Sequence, residues 1–336
     1  MSSNAAASID LSPLHSLRFA RFTFDLEATE DLHLPQYKGS TFRGGFGNAL
    51  KKALCMTKTF DCPPCLLKHT CHYISVFEPK IDKMVADLLR IGRDAPQPFV
   101  LEPPLTDQRQ FKKGERLSVG LVLIGRVMEL LPSIVYAFTV FGERVGLGTA
   151  KGKFAVRRMT DADGAVVFDG KTFTGDFRVM TFPEFLHSNG SPQSVTMQFL
   201  TPTRIMTSHG NSRRHLMRLR TTDDLWTFIE TLYHRLFVLT NLYCLSDIQP
   251  YTAKRIPLNS RQLSLSNVDI GWMDWERYSN RQHIPMKLGG FVGQITLKGE
   301  VDDLLPLLRI GEYLHVGKGT SFGLGQFKLV HRSADE

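Results

Sequence analysis

The sequence predicts an α+β fold of two tandem ferredoxin-like (RRM-like) units, each an antiparallel sheet with helices on one face. Strand and helix patterns follow the same order in both halves, and each half closes on a basic glycine-rich loop that runs into a strand. The length of 336 residues suits two domains of about 150 residues each. The first unit is expected over residues 1–160, with a cysteine-rich insertion near 55–78, then a connection over 161–192 and a second unit over 193–336.

The opening strand is Leu17–Leu26 (LRFARFTFDL), where Leu17, Phe19, Phe22 and Phe24 mark a strand-like pattern broken once near Ala20. After Pro35, YKGSTFRGGFGNALKKAL carries Phe42, Phe46, Ala49, Leu50 and Ala53 at helical spacing, behind a cap at Ser40 or Thr41. Glycine weakens a helix, so the glycines in this one predict a close approach by another group. A strand at 115–123 and a helix at 126–140 lead into FGERVGLGTAKGKFAV. The second half repeats the plan. SVTMQFLTPTRIM is a strand, and residues 223–244 form a helix capped by Thr222 or Asp223. Strands near 272–278 and 290–298, a short helix at 301–309 and HVGKGTSFGLGQFKLV complete it.

A net charge of +8 and a pI near 9.2 favour a polyanionic partner, with nucleic acid first. No apolar run reaches the roughly 18 residues of a membrane span, and Met1–Asp10 lacks the basic and apolar regions of a signal peptide. A cytoplasmic protein with no membrane partner is expected. In the terminal loop, Gly317, Gly319, Gly323 and Gly325 omit Cβ atoms, so that backbone N–H groups can line a concavity while Lys318 offers charge to a phosphate. Gly146 and Gly148, with Lys151 and Lys153, form a weaker mid-chain counterpart. Arg204, Arg213, Arg214, Arg218 and Arg220 crowd one stretch with no acidic residue among them. Arg277, Arg281 and His283, beside Trp272, Trp275 and Tyr278, add cations and planar groups suited to RNA phosphates and unpaired bases.

Cys55, Cys62, Cys65 and Cys71 read C-x6-C-x2-C-x5-C, with His69 and His72 close by. Thiolates at this spacing suit a structural zinc ion or an iron-sulfur cluster that pins an insertion lacking its own core. Cys244 and His234 sit in an apolar helical run and read as structural.

Together, YKGSTFRGGFGNAL and the cysteine segment, GLGTAKGKF, WERYSNRQ, GGFVG and VGKGTSFGLG resemble the RAMP superfamily of CRISPR-associated proteins. Within it, the chain is similar to the endoribonuclease of the Cas-six type, which cuts precursor CRISPR RNA. The resemblance implies CRISPR repeat RNA as partner, in precursor and mature form, and other CRISPR effector subunits as further partners. It implies cleavage with no catalytic cofactor, by 2′-hydroxyl attack leaving a 2′,3′-cyclic phosphate. In that family the catalytic histidine lies in or just before the first helix. Here the helix contains none, and the nearest is His33, with Tyr37 to orient it and Lys38 or Arg43 to stabilise the phosphorane. His283, His209, His215 and His315 are the alternatives. A non-catalytic RAMP subunit that holds guide RNA, and an iron-sulfur or zinc redox or regulatory protein, are the competing functions.

Overall fold

The computed structural model describes residues 9–186, 193–207, 215–252, 263–274, 276–279 and 284–330. The chain divides into two compact units. The N-terminal unit comprises Arg18–Met180 with Asn241–Pro250, and the C-terminal unit comprises Met1–Leu17, Thr181–Thr240 and Tyr251–Glu336. Residues 161–180, expected as connection, thus join the first unit. Their Val166–Phe168 adds a strand, and Phe168, Phe173, Phe177 and Val179 pack on that unit's core.

The N-terminal unit contains β1 (Arg18–Ala28), β2 (Leu32–His33), α1 (Gly39–Leu54), α2 (His72–Phe77), α3 (Lys83–Leu89), β3 (Phe99–Glu102), β4 (Gln110–Phe111), β5 (Arg116–Ile124), α4 (Leu131–Val140), β6 (Phe154–Thr160) and β7 (Val166–Phe168). Five strands run antiparallel in the order β3-β5-β1-β6-β7. Ala20, Phe22, Phe24, Leu26 and Ala28 line the core face of β1 at period two. Phe19 is buried at an odd position, off that register, and this produces the apparent break near Ala20.

Helix α1 starts at Gly39 with Lys38 at its N-cap and no side-chain cap bond, so Ser40 and Thr41 lie inside the first turn rather than capping it. Gly45 and Gly47 meet the close approach expected of them, whereas Gly44 faces open space. A Cβ on Gly45 would overlap the Phe141 ring, and one on Gly47 the Phe77 ring. Phe138 of α4 stacks on Phe24 at 4.1 Å and on Phe46 at 4.9 Å, joining sheet and helices. The helix expected from residue 126 begins as a 3-10 turn over Gly125–Leu130, becomes α-helical at the Pro132 turn, and ends in a π turn over Phe141–Val145.

After β8 (Met180–Thr181), at the division between the units, the C-terminal unit contains β9 (Ser194–Thr203), β10 (Met206–Thr207), β11 (His215–Leu216), α5 (Thr222–Tyr243), β12 (Leu263–Met273), β13 (Glu276–Ser279), β14 (Ile284–Lys287), β15 (Gly290–Gly299), α6 (Leu305–Leu314) and β16 (Phe327–Val330). The main sheet runs β12-β15-β9-β16. This is the order of β3-β5-β1-β6, so the duplication seen in the element sequence is one of topology as well. The cap of α5 falls one residue earlier than expected. Thr221 Oγ1 accepts the Asp224 N–H at 3.2 Å, and the Asp224 carboxylate accepts the N–H groups of Arg220 and Thr221 at 3.0 and 2.9 Å. Among the described residues, no helix is long and apolar enough to cross a membrane.

Gly44 and Gly47 test this packing as a pair. Gly44→Ala, in open space on an exposed helix face, should raise stability by up to about 1 kcal/mol. Gly47→Ala should cost roughly 1–3 kcal/mol through overpacking against Phe77. Equilibrium urea unfolding of the two variants reads both signs.

Candidate nucleic-acid interface

Each glycine-rich loop is seated on the first strand of its own unit by equivalent bonds. In the N-terminal unit the N–H groups of Thr29 and Glu30 donate to the Lys153 carbonyl at 2.9 and 3.2 Å; in the C-terminal unit those of Leu200 and Thr201 donate to the Gln326 carbonyl at 2.9 and 3.4 Å. Leu147 N–H donates to Gly152 O at 2.8 Å, as Val316 N–H does to Gly325 O at 3.1 Å. The next residue in each loop is a glycine with left-handed φ. Gly148 (φ 81°) lies against the His33 carbonyl, and Gly317 (φ 80°) against the Arg204 carbonyl, with no room for a Cβ at either. His33 and Arg204 each lie three residues beyond the paired N–H groups, so the duplication places them at equivalent positions.

In the terminal loop the N–H groups of Lys318, Phe322, Gly323, Leu324, Gly325 and Gln326 all donate to acceptors within the protein. Its glycines at 317, 319, 323 and 325 take φ from 74° to 84°, and those at 317 and 325 lie close against the chain's own backbone. What the loop presents outward is the exposed Lys318 side chain. His315, an alternative catalytic residue from sequence, is fully buried beneath the loop with φ 56°, its Nδ1 3.2 Å from the Leu324 carbonyl. It occupies the place that Gly146 holds in the first unit, a left-handed residue ending the preceding helix.

The expected cleavage quartet is divided. His33, on β2 opposite Gln110, is exposed. Tyr37 is buried, and burial pushes its hydroxyl well above the usual tyrosine range. Lys38 is fully buried, and its Nζ donates to the carbonyls of Thr106 at 2.6 Å and Gln36 at 3.1 Å, while burial lowers its pKa. This lysine ties the start of α1 to the loop before β4. The Arg43 guanidinium lies over the Phe77 ring at 4.4 Å.

Other groups gather beside His33, and three of them, Asp31, Arg109 and Lys112, are not singled out by the sequence pattern. Leu34 N–H donates to the Arg109 carbonyl at 2.8 Å, and Lys112 Nζ bonds Asp31 at 2.8 Å. That lysine bond, the Lys113 N–H and the nearby His33 hold the Asp31 carboxyl below its usual range. Lys151 is exposed with φ 53°, and Lys153 Nζ donates to the Arg144 carbonyl at 3.2 Å. The signal was present as RQFKK, Arg109–Lys113, but only the β2-β4 pairing brings it to His33.

In the C-terminal unit, Arg204 donates to the Gly289 carbonyl at 2.9 Å and burial lowers its pKa. The exposed Arg218 lies over Trp272, 5.5 Å from the ring centroid. His209, Arg213, Arg214, Trp275, Arg281 and His283 lie outside the described residues. Arg277 falls on β13, and only its backbone position is described. His215 is exposed on β11. His234 is half-buried against the Tyr251 ring at 4.5 Å.

The structure does not gather the expected metal ligands. Cys55, Cys62, Cys65 and Cys71 are half-buried free thiols, and among the described residues no three His, Cys, Asp or Glu side chains converge to hold a metal ion. Cys62 and Cys71 instead pack against the N-terminal core, while Met56 and Leu66 beside them stay exposed. Close spacing in sequence does not bring side chains together when the intervening chain follows the surface of a core. Cys244 is also half-buried, its thiol pushed up by burial and 3.8 Å from the Arg18 carbonyl.

Lys38→Met tests whether that residue is structural. It strands the Thr106 and Gln36 carbonyls and should lower stability by about 1–3 kcal/mol, measured by thermal unfolding, while any activity follows the folded fraction.

Residues 17–177 match a family of N-terminal domains, AF_1859_N, and residues 197–327 match the family described as CRISPR-associated endoribonuclease Cas6. An uncharacterized protein of Archaeoglobus fulgidus is 27% identical over 307 residues, 88% of this chain and 93% of that protein. The fold is similar to that of the Thermus thermophilus Cas6 (TTHB231) product complex, at TM-score 0.54 and 17% identity, covering 96% of this chain and all of that one. It is also similar to a chain of a partial Cas6-RT-Cas1–Cas2 complex, at TM-score 0.56 and 12% identity, covering 95% of this chain and 47% of that one. The family match thus covers residues 197–327, within the C-terminal unit, and the fold is that of the Cas6 structures to which the chain is similar.

Proposed function

We propose that the protein is an endoribonuclease that cuts CRISPR repeat RNA in precursor transcripts to give guide RNAs. The observation that carries this reading is the Cas6 family match over the C-terminal unit, in a chain whose N-terminal unit sets an exposed histidine among cations at its glycine loop. The chemistry follows from those groups. His33 takes the proton of a ribose 2′-hydroxyl, and the 2′-oxygen attacks the adjacent phosphorus. The bond to the 5′-oxygen breaks, leaving a 2′,3′-cyclic phosphate, and the leaving oxygen takes a proton to become a 5′-hydroxyl. Lys151, Arg109 and Lys112 supply positive charge for the phosphorane, in place of the buried Lys38. Asp31 steadies the His33 side of the site. RNA backbone is gripped at Lys318 and Arg204 in the C-terminal unit. Assembly with further CRISPR proteins in the cytoplasm belongs to the same proposal, by analogy with the Cas6-RT-Cas1–Cas2 assembly.

A second reading, an RNA-holding subunit that does not cut, is favoured by one observation. The burial of Tyr37 and Lys38 withdraws two of the groups expected to assist His33.

Incubation with repeat RNA in a chelating buffer, followed by end-group analysis, separates the two readings. The nuclease should give a cyclic phosphate and a 5′-hydroxyl; tight binding with no fragments supports the holding subunit, and dependence on Mg²⁺ contradicts the mechanism. His33→Ala should slow single-turnover cleavage by about 100-fold or more while leaving RNA affinity within about threefold.

A further inference from the structure

The C-terminal unit places its one described aromatic-cation pair across the sheet from the end of β9, where its phosphate-binding candidates follow. Trp272 pairs with Phe291, and Phe291 with Thr203, across β12, β15 and β9. Arg204 follows Thr203, and the Lys318 N–H donates to the Arg204 carbonyl at 2.9 Å. Two strand spacings, about 10 Å, therefore separate the backbone of Trp272 from that of Thr203, next to the Arg204–Lys318 corner. Directly paired residues share a sheet face. Phe291 and Thr203 are fully buried on it, whereas Trp272, on the edge strand, remains half-exposed.

The indole is held in one orientation by its Nε1–H, which donates to Asp274 at 2.8 Å. That bond engages the carboxylate nearest the ring. Above the ring stands the exposed Arg218, with its Cζ 5.5 Å from the centroid. Arg218 is placed by its neighbours. Met217 and Leu219 are buried on either side, and Met217 N–H donates to the Ile205 carbonyl at 2.8 Å. The backbone beneath Arg218 is thus fixed while its side chain can move.

We propose that Trp272 and Arg218 form a slot for one unpaired RNA base, with Arg204 and Lys318 holding phosphate on the neighbouring nucleotide. A base between two planar groups needs about 3.5 Å on each side, about 7 Å in all. Arg218 has to lift by only about 1.5 Å to admit one. The base then stacks on the indole and takes the guanidinium on its other face, an arrangement that tolerates any base because each has a π-face. A base inside a duplex cannot enter, so the slot selects a single-stranded stretch of the bound RNA. This inference rests on the reading of the chain as an RNA-binding protein, and it adds a specificity element to the C-terminal unit that is separate from the cleavage chemistry.

The test uses the full chain and repeat RNA carrying 2-aminopurine at each unpaired position in turn. One position should be quenched on binding, and Trp272→Ala should relieve that quench alone and weaken affinity by about 5- to 150-fold, the equivalent of one stacked base. Trp272→Phe should keep most of both. Arg218→Ala, at an exposed site where folding is not at stake, should partly relieve the same quench. Trp272→Ala should leave the salt dependence of binding unchanged, whereas Arg204→Ala and Lys318→Ala should each flatten it. Wild-type affinity and unaltered quenching in both Trp272→Ala and Arg218→Ala overturn the slot. A 12-nucleotide oligoadenylate serves as the second probe: binding to it that depends on Trp272, with no cleavage of repeat RNA, supports the slot and sinks the nuclease reading. Failure to bind either RNA overturns both.

Discussion

A glycine pressed against a carbonyl oxygen sets the position of both candidate sites. Gly148 on His33 and Gly317 on Arg204 occupy backbone space that no side chain can enter, each held there by the paired N–H bonds to Lys153 or Gln326. The residue whose carbonyl is covered has its backbone fixed and its side chain directed by a short strand or strand end. A functional group placed there gains precision from the sheet without belonging to its core.

From equivalent frames the two units have diverged. In the first, the covered residue is His33, with Asp31 and Lys112 beside it and the exposed Lys151 in the same loop as Gly148; this set suits proton transfer and anion stabilisation. In the second it is Arg204, whose guanidinium is anchored on Gly289 and whose surroundings include Lys318, Arg218 and Trp272. These groups suit phosphate binding and stacking. The exchange of Gly146 for His315 at the helix end fits the same history. A left-handed residue is required at that position, and the second unit meets the requirement with a buried histidine.

The duplicated plan was legible because hydrophobic period and glycine placement are local signals. The strand of β1, the glycines of α1 and the two loops all came from spacing in the sequence, and the Phe141 and Phe77 contacts give Gly45 and Gly47 their reason. The site was less legible because side-chain burial is decided by tertiary packing. Lys38 reads as a surface cation beside a histidine, yet the turn into α1 directs it to two carbonyls in the interior. Arg109 and Lys112 reach His33 through the pairing of two-residue strands, too short to leave a periodic trace. The cysteines share a segment but not a ligand geometry, and spacing alone carried no information on their direction.

In the proposed nuclease the two glycine seats divide the labour, one positioning the cutting residue and the other the gripping residues. Measuring Gly148→Ala and Gly317→Ala side by side, for repeat-RNA affinity and for single-turnover cleavage at saturating protein, tests it most directly. Gly148→Ala should lose cleavage with affinity retained, and Gly317→Ala should lose affinity with cleavage retained at saturation. Equal effects of the two on both quantities, or the reverse pattern, would contradict the account.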